Sequence, residues 1–380
     1  MMKVIISGGG TGGHIFPAIS IANAVKERWP DSEILFVGAE DRMEMERVPA
    51  AGYKIIGLPV AGFDRQNFLK NFSVAVKLLK SMQKARRIIN DFKPDIAVGV
   101  GGYASGPILK AASAKGIPTL LQEQNSYAGV TNKMLARKAA TICVAYEGME
   151  KFFPEGKIVL TGNPCRQDLV VSAENRTQGY SHFQLDSGKR TMLLLGGSLG
   201  ARTLNRSIAG AFPKLAAAGD LQVIWQCGKY YYKEMLQLQT EGKMPQNVYL
   251  LDFVSRMDYA YSVADLIISR AGAGSISEFS LLGKAVILVP SPNVAEDHQT
   301  KNAQALVDKD AAVMVSDAEA PDVLFDKAMT LVRNDRELRS LSNNIAKLAQ
   351  HDSAKRIVDE IEKIVFLKEV RRLSERGLSH

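Results

Sequence analysis

The chain has 380 residues, 46% of them apolar and 23% charged, which excludes a single small module, a disordered chain and a membrane bundle and fits two globular domains. Lysine and arginine number 48 against 40 acids, a formal charge of +8 that favours an anionic partner and leaves nucleic acid, an anionic membrane and a phosphorylated substrate open. Three dispersed cysteines form neither an even disulfide set nor a metal knuckle, no leader pattern precedes the first strand, and no run of about 18 apolar residues occurs, so a reducing, cytoplasmic setting with peripheral membrane contact at most is expected.

KVIIS is a short β-branched run that passes through GGGTGGH into the apolar-periodic PAISIANAVKERW, a strand, loop and helix in succession. EILFVGA, KPDIAVGVGG, IPTLLQEQ and ATICVAY follow as further strands. After TGNPCR the pattern restarts with TMLLLGGSLG, LQVIWQCG, NVYLLDFV, ADLIISRAG and AVILVPSP, each separated by a helix-length segment. Strands alternating with helices predict parallel sheets covered on both faces, hence two doubly wound α/β domains. The parallel between KVIISGGGTGGH and TMLLLGGSLGAR suggests a duplicated architecture, with the boundary near Thr161 to Arg166 and a charged helical tail from Asn334 onward.

Gly8, Gly10 and Gly13 satisfy G-x-G-x-x-G after a strand, where backbone N–H groups can approach a pyrophosphate at a helix N-terminus. A dinucleotide reading asks for an acid at the end of the second strand; Glu40 or Asp41 would serve, though both lie beyond the usual spacing of about 20 residues. A tight turn without ligand explains the glycines too. His14 opens the following helix, and Tyr103 projects from the glycine-rich VGVGGYASGP loop. Gln122, Glu123, Gln124 and Asn125, with Asn132 further on, suit hydroxyl or amide recognition, or plain capping.

In the second half, Ser198 offers a hydroxyl at a helix start, with Asn205 on the same face; an N-cap is the ordinary alternative. The small residues Ala271 to Ser275 precede a helix carrying Glu278, an arrangement in which backbone amides hold a diphosphate while a carboxylate takes a ribose diol. Glu296, His298, Gln299 and Asn302 could read a sugar or form a solvated turn. Residues 64 to 87 interleave Phe68, Leu69, Phe72, Val76 and Leu79 with Lys70, Lys77, Lys80, Lys84, Arg86 and Arg87, a pattern suited to an anionic membrane surface or to a helix packed on a sheet. The isolated KYYYK run argues poorly for nucleic acid. Metalloprotease, serine hydrolase and P-loop signatures do not occur.

Taken in order, GGGTGGHIFPAISIA, VGVGGYASGP, EQNSYAGVTNK, TGNPCR, GGSLGARTLN, SRAGAGSISE and EDHQTKNA resemble the MurG family of peptidoglycan N-acetylglucosaminyltransferases over nearly the whole chain. The resemblance implies a GT-B fold: two Rossmann-like domains facing across a cleft, residues 1–162 on the acceptor and membrane side and 163–349 binding the UDP-sugar, with a final helix at about 350–380 packing back on the first. It implies transfer of N-acetylglucosamine from UDP-N-acetylglucosamine to the 4-hydroxyl of undecaprenyl-pyrophosphoryl-N-acetylmuramoyl-pentapeptide (lipid I), with inversion, giving lipid II.

Carried over by motif, His14 is the leading general base and Glu123 the second candidate. Thr11, Gly12 and Gly13 form the loop beside the donor diphosphate and acceptor. Asn125, Arg166, Ser198 and Val254 are implied in donor binding. So are Ala273, Gly274, Ser275, Ile276, Ser277 and Glu278, with Glu278 on the ribose, Gln299 on the sugar, and Arg270 and Asn302 as supports. Tyr103 and Asn132 fall to the acceptor side. Ala271 stands where the family often has serine and His298 where glutamine is common, which leaves the sugar contact open between His298 and Gln299. No metal or dinucleotide cofactor is expected. The implied setting is peripheral, on the cytoplasmic face of the bacterial inner membrane, with an anionic lipid surface and other cell-wall synthesis proteins as candidate partners. A dinucleotide oxidoreductase and a nucleotide-sugar sensor are the two competing readings.

Overall fold

The structure, a computed structural model, describes residues 1–60, 68–165, 169–197 and 199–377. It divides into two compact units, Met1–Cys165 with Gln350–His380, and Arg166–Ala349. The first unit runs β1 (Lys3–Ser7), α1 (Gly12–Arg28), β2 (Glu33–Ala39), α2 (Glu44–Ala50), β3 (Lys54–Leu58), α3 (Phe68–Phe92), β4 (Ile96–Gly99), α4 (Ser105–Ala114), β5 (Thr119–Glu123), α5 (Val130–Leu135), β6 (Thr141–Val144) and β7 (Ile158–Leu160). The second contains α6 (Ala173–His182), β8 (Arg190–Leu195), α7 (Arg202–Gly210), α8 (Phe212–Ala217), β9 (Leu221–Gln226), α9 (Tyr232–Thr240), β10 (Val248–Leu251) and α10 (Met257–Val263). It continues with β11 (Leu266–Ser269), α11 (Ala273–Leu282), β12 (Val286–Leu288), α12 (His298–Val307), β13 (Val313–Met314), α13 (Ala320–Val332) and α14 (Asp335–Ala346). The last helix, α15 (Ser353–Gly377), returns to the first unit.

Both sheets are parallel and wound alike. The first has the order β3-β2-β1-β4-β5-β6-β7, the second β10-β9-β8-β11-β12-β13. In register, Ile5 lies opposite Leu35 on one side and Ala97 on the other, and Ile267 opposite Leu193 and Val286. Apolar residues on both faces of each central strand require helices above and below. In the first unit Val4, Ile6 and Val98 pack with Ile15 and Ile21 of α1 and Ile357 and Ile361 of α15. On the opposite face Ile5, Ala97 and Leu121 meet Ile88, Ile89 and Leu109. In the second, Leu194, Trp225 and Ile268 pack with Leu204, Ile208 and Phe325.

The winding order reverses between β1 and β4, and again between β8 and β11. Ligands of open α/β sheets bind outside the carboxyl ends of strands at this switch point. The loops that leave β1 and β4, and those that leave β8 and β11, are the glycine-rich segments singled out in the sequence.

Three strands appear that the sequence pattern did not announce: β3, β7 and β13, each at a sheet edge. Two further readings are corrected. The helix after the GGSLGAR loop starts only at Arg202. Asn205 is buried, donating from Nδ2 to the Cys227 carbonyl at 3.0 Å and accepting from Trp225 Nε1 at 3.0 Å, so it fastens the core instead of facing a ligand. Among the described residues, no helix is long and apolar enough to cross a membrane.

Lys284, between α11 and β12, is a half-buried cation whose titration bears on stability. Its Nζ donates to the Ala264 carbonyl at 3.0 Å. Burial first, then the Arg176 guanidinium, opposed by Asp265, push the ammonium down from 10.5 to about 8. Between about pH 8 and 10.5 the unfolded chain therefore binds more protons than the native one, and stability rises with pH across that window. The difference amounts to about 3 kcal/mol at most. Lys284→Met is expected to raise the unfolding free energy at pH 7 by about 1 to 2 kcal/mol in urea titrations, a gain that shrinks toward pH 10.5. A gain independent of pH would contradict this account.

Candidate active site

In the first unit the loop leaving β1 spans Gly8 to Thr11. Thr11, in extended conformation, caps α1, its carbonyl accepting from the His14 and Ile15 amides at 3.1 and 3.2 Å. The amides of Gly12 and Gly13 thus belong to the helix start that no intrahelical carbonyl serves. His14 lies in the first turn with Nδ1 3.0 Å from the Gly9 carbonyl and 3.3 Å from Thr11 Oγ1. A carbonyl only accepts, so the neutral ring carries its proton on Nδ1 and its lone pair on Nε2, the arrangement of a general base.

The loop leaving β4 interlocks with this one. A Cβ on Gly102, whose φ is +87°, would lie 2.4 Å from the Gly9 carbonyl oxygen, and one on Gly101 2.8 Å from the His14 ring. Glycine is required at both for backbone and imidazole to meet. Tyr103 follows and is 60% exposed.

The polar cluster at the end of β5 turns inward. Gln122 donates to Asn163 Oδ1 at 3.0 Å, Gln124 to the Val100 carbonyl at 2.7 Å and to Gln122 Oε1, and Asn163 to the Gln124 carbonyl at 3.0 Å. This network stitches loops together and offers no buried amide to a ligand. Glu123 is buried as well. Its carboxylate accepts from the Gly129 amide at 3.0 Å, Asn132 Nδ2 at 2.9 Å, the Asn125 amide at 3.1 Å and Asn125 Nδ2 at 3.4 Å. Burial raises its proton affinity above the ordinary carboxylate range, and these four donors oppose the shift. A carboxylate enclosed by its own loop organises that loop; a base needs a free direction toward substrate. Asn132, also buried, is brought to Glu123 and to the Gln122 carbonyl at 3.2 Å, not to the surface.

One residue was missed in the sequence. The acid sought at the end of β2 was Glu40 or Asp41, but Glu40 lies at the surface paired with Lys84 at 2.8 Å. Glu44, at the start of α2, is fully buried and accepts from the Gly10 amide with both oxygens at 3.1 Å and from the Ala39 amide at 2.9 Å. The available signal was the pair Gly9 and Gly38, where a Cβ would come within 2.0 Å and 2.6 Å of the Glu44 side chain.

In the second unit α11 starts straight after β11 with no acid in its first turn. The Ile276 amide is the first to reach back, to the Gly272 carbonyl at 3.0 Å, which leaves the amides of Ala273, Gly274 and Ser275 pointing out of the helix start. Ala273 and Ile276 are buried by their side chains, and Ser277 Oγ donates to the Ala273 carbonyl at 2.9 Å. Glu278, one turn on, accepts from the Tyr261 hydroxyl at 2.7 Å.

Arg270 braces the same loop, donating to the Val289 and Pro290 carbonyls at 3.0 and 3.2 Å and pairing with Asp317 at 2.5 Å. Asn302 is buried, with Nδ2 3.4 Å from the Ala271 carbonyl. Gln299 accepts from the Ser291 amide at 2.9 Å through Oε1, beside His298 at the start of α12. Val254 is buried and lines a hollow of about 550 Å³ along β10 with Phe183, Tyr249 and Phe253. Arg166 and Ser198 lie outside the described residues. Among the described residues no group of three or more His, Cys, Asp or Glu is placed to hold a metal ion.

Residues 4–144 match the glycosyltransferase family 28 N-terminal domain and residues 191–357 its C-terminal domain. A Parabacteroides distasonis protein named UDP-N-acetylglucosamine–N-acetylmuramyl-(pentapeptide) pyrophosphoryl-undecaprenol N-acetylglucosamine transferase is 64% identical over 96% of this chain and 99% of its own length. The chain belongs to glycosyltransferase family 28, MurG type. A Bacteroides thetaiotaomicron relative of the same name is 60% identical over 96% of the chain and 98% of its own length. The crystal structure of Acinetobacter baumannii MurG superposes with a TM-score of 0.77 at 30% identity, covering 96% of this chain and all of that one.

The MurG-type assignment makes the paired sheets a GT-B fold and the chain a glycosyltransferase. It also displaces the dinucleotide oxidoreductase reading. The physical counterpart is Glu44: a fingerprint loop whose Gly10 amide already serves an internal carboxylate repels a second anion there.

The role of Glu123 is testable by stability. Glu123→Ala leaves four donors without their acceptor and is expected to lower the unfolding free energy by about 2 to 4 kcal/mol, measured by urea denaturation. A loss below about 0.5 kcal/mol, the level of an ordinary surface change, would contradict an organising role.

Proposed function

We propose that this MurG-type enzyme transfers N-acetylglucosamine from UDP-N-acetylglucosamine to the 4-hydroxyl of N-acetylmuramoyl-pentapeptide-pyrophosphoryl-undecaprenol, forming a β-1,4 bond with inversion. Relatives bearing that activity in their names match it almost end to end. The observation that carries the chemistry is the His14 ring, tied through Nδ1 to the Gly9 carbonyl so that Nε2 is the basic nitrogen. In this reading the first unit, residues 1–162 with the helix at 350–380, handles the acceptor, with Tyr103 beside it. The second, 163–349, holds the donor.

The acceptor 4-oxygen attacks the anomeric carbon while the bond from that carbon to the diphosphate oxygen breaks. The hydroxyl proton passes to His14 Nε2, and the bonding pair leaves with UDP. Charge developing on the diphosphate is met by the helix-start amides of Ala273, Gly274 and Ser275, and Thr11, Gly12 and Gly13, on the loop that the Glu44 carboxylate engages, serve the acceptor side with His14 instead. Glu278, steadied by the Tyr261 hydroxyl, accepts from the ribose diol. Gln299 with His298 reads the sugar, and Asn125, Val254, Arg166 and Ser198 complete the donor contacts. Arg270 and Asn302 hold the loop, and Glu123 with Asn132 organises the segment that carries Asn125. The scheme uses no protein-bound metal or dinucleotide.

Acceptor-dependent UDP release tests this directly. His14→Ala is expected to lower kcat by roughly 10²- to 10⁴-fold, whereas Glu278→Ala is expected to raise the donor KM by about 10- to 100-fold through loss of a charge-assisted hydrogen bond. Donor binding without acceptor-dependent turnover in the unsubstituted chain would favour a nucleotide-sugar sensor instead.

We further propose peripheral attachment to the cytoplasmic face of the inner membrane through residues 64–87. Of that segment residues 64–67 lie outside the described residues. Along α3, Val74, Ala85, Ile88 and Ile89 face the core, while Val76, Leu78 and Leu79 are exposed beside Lys77 and Lys80, an apolar stripe edged with cations. Replacing Phe68, Leu69 and Phe72 by serine is expected to lower affinity for vesicles containing anionic phospholipid by about tenfold or more. Unchanged sedimentation with vesicles would contradict it.

A further inference from the structure

We propose that Glu44 is a positioning residue for the transfer reaction: its buried carboxylate fixes the glycine loop through the Gly10 amide and thereby sets the place and tautomer of His14. The proposal rests on the reading of His14 as the general base.

Three consecutive glycines, Gly8 to Gly10, have little conformational preference of their own, yet the Gly9 carbonyl must stand still for His14 Nδ1 to bond it at 3.0 Å. Something outside the loop has to hold it. Glu44 grips Gly10 with both oxygens, and the same carboxylate is tied to the sheet through the Ala39 amide at the end of β2. It is fully buried, and among the described residues no ion pair accompanies it. Burying an anion is strongly unfavourable unless hydrogen bonds replace its water; here backbone amides do so, two of the three contacts coming from the loop itself.

The local sequence is shaped around this carboxylate. Any side chain at Gly9 would begin 2.0 Å from Oε1, and any at Gly38 2.6 Å from Cγ. Gly9 in turn abuts Gly102, whose absent Cβ would strike its carbonyl oxygen. The loop is therefore held between Glu44 on one side and the β4 loop on the other. The line runs from Glu44 to the Gly10 N–H, across the same peptide group to the Gly9 carbonyl and on to Nδ1, and so orients the ring that carries the reacting Nε2 without Glu44 touching substrate.

Glu44→Gln separates this role from simple packing. The side chain keeps its size, and one oxygen can still serve Ala39. The new NH₂, however, takes the place of one of the two oxygens that face the Gly10 amide and sets donor against donor there, which loosens the grip on the loop although Oε1 still faces that amide. We expect kcat to fall at least about tenfold, with the KM for UDP-N-acetylglucosamine within about twofold. We also expect the ¹⁵N shifts of the His14 ring to move from the Nδ1-protonated pattern toward a mixture of tautomers. With five histidines in the chain, that ring is assignable by comparison with His14→Ala. Unchanged kcat together with an unchanged ring pattern would overturn the proposal.

Should Glu44→Gln fail to fold, hydrogen exchange of the unsubstituted chain decides. Gly10 is exposed, so strong protection of its amide requires the Glu44 bond, and exchange at the rate of a free amide would overturn it. If the unsubstituted chain shows no transfer at all, the base assignment falls. The ring pattern still reports whether Glu44 sets the tautomer.

Discussion

A strand buried on both faces of a parallel sheet has no side chain to spare for a ligand, so chemistry is confined to what leaves its carboxyl end. That constraint governs this molecule twice. At the centre of each sheet the winding reverses, and the two loops that emerge there have helices on both sides and no neighbouring crossover above them. Such a loop must turn within a few residues and let backbone come close to backbone, which accounts for the glycines after β1, β4 and β8. The charged and hydrogen-bonding residues then follow within the first two turns of the next helices, His14 in the first turn of α1 and Glu278 in the second of α11.

Equal winding does not bring equal chemistry. In the first unit the loop after β1 is already engaged by the Glu44 carboxylate. In the second, α11 opens without an acid in its first turn. A helix start already facing a buried negative charge is a poor seat for a diphosphate, and one without it is a good seat. The division of donor and acceptor proposed above thus follows where one carboxylate lies, not a difference in architecture.

The central strands were legible because continuous β-branched runs such as KVIIS and ADLIIS have no other stable home than a sheet covered on both sides. β3, β7 and β13 were not, since edge strands are short and half exposed and their pattern differs little from a loop. Seven ordered motifs made the family legible where each alone was ambiguous. Polar residues at strand ends were the weakest guide: Gln122, Gln124 and Asn205 looked ligand-ready and turned out to bond other loops and the Trp225 indole. Sequence spacing gives the position of an amide but not which neighbour it faces. Glu44 was overlooked for a related reason, because its significance lies in the Gly9–Gly10 loop more than thirty residues before it in the chain.

The return of α15 to the first unit has a consequence for synthesis. Ile357, Val358 and Ile361 cover the same sheet face as Val4, Ile6 and Val98, yet they emerge from the ribosome after the entire second unit. At about 5 to 20 residues per second, the first sheet waits on the order of ten seconds or more with one face only partly clothed by α1. The second unit, continuous in sequence, has no such wait. The order of completion is therefore the reverse of the order of translation, and the nascent first unit is the stage at which a chaperone holding apolar surface has the most to do.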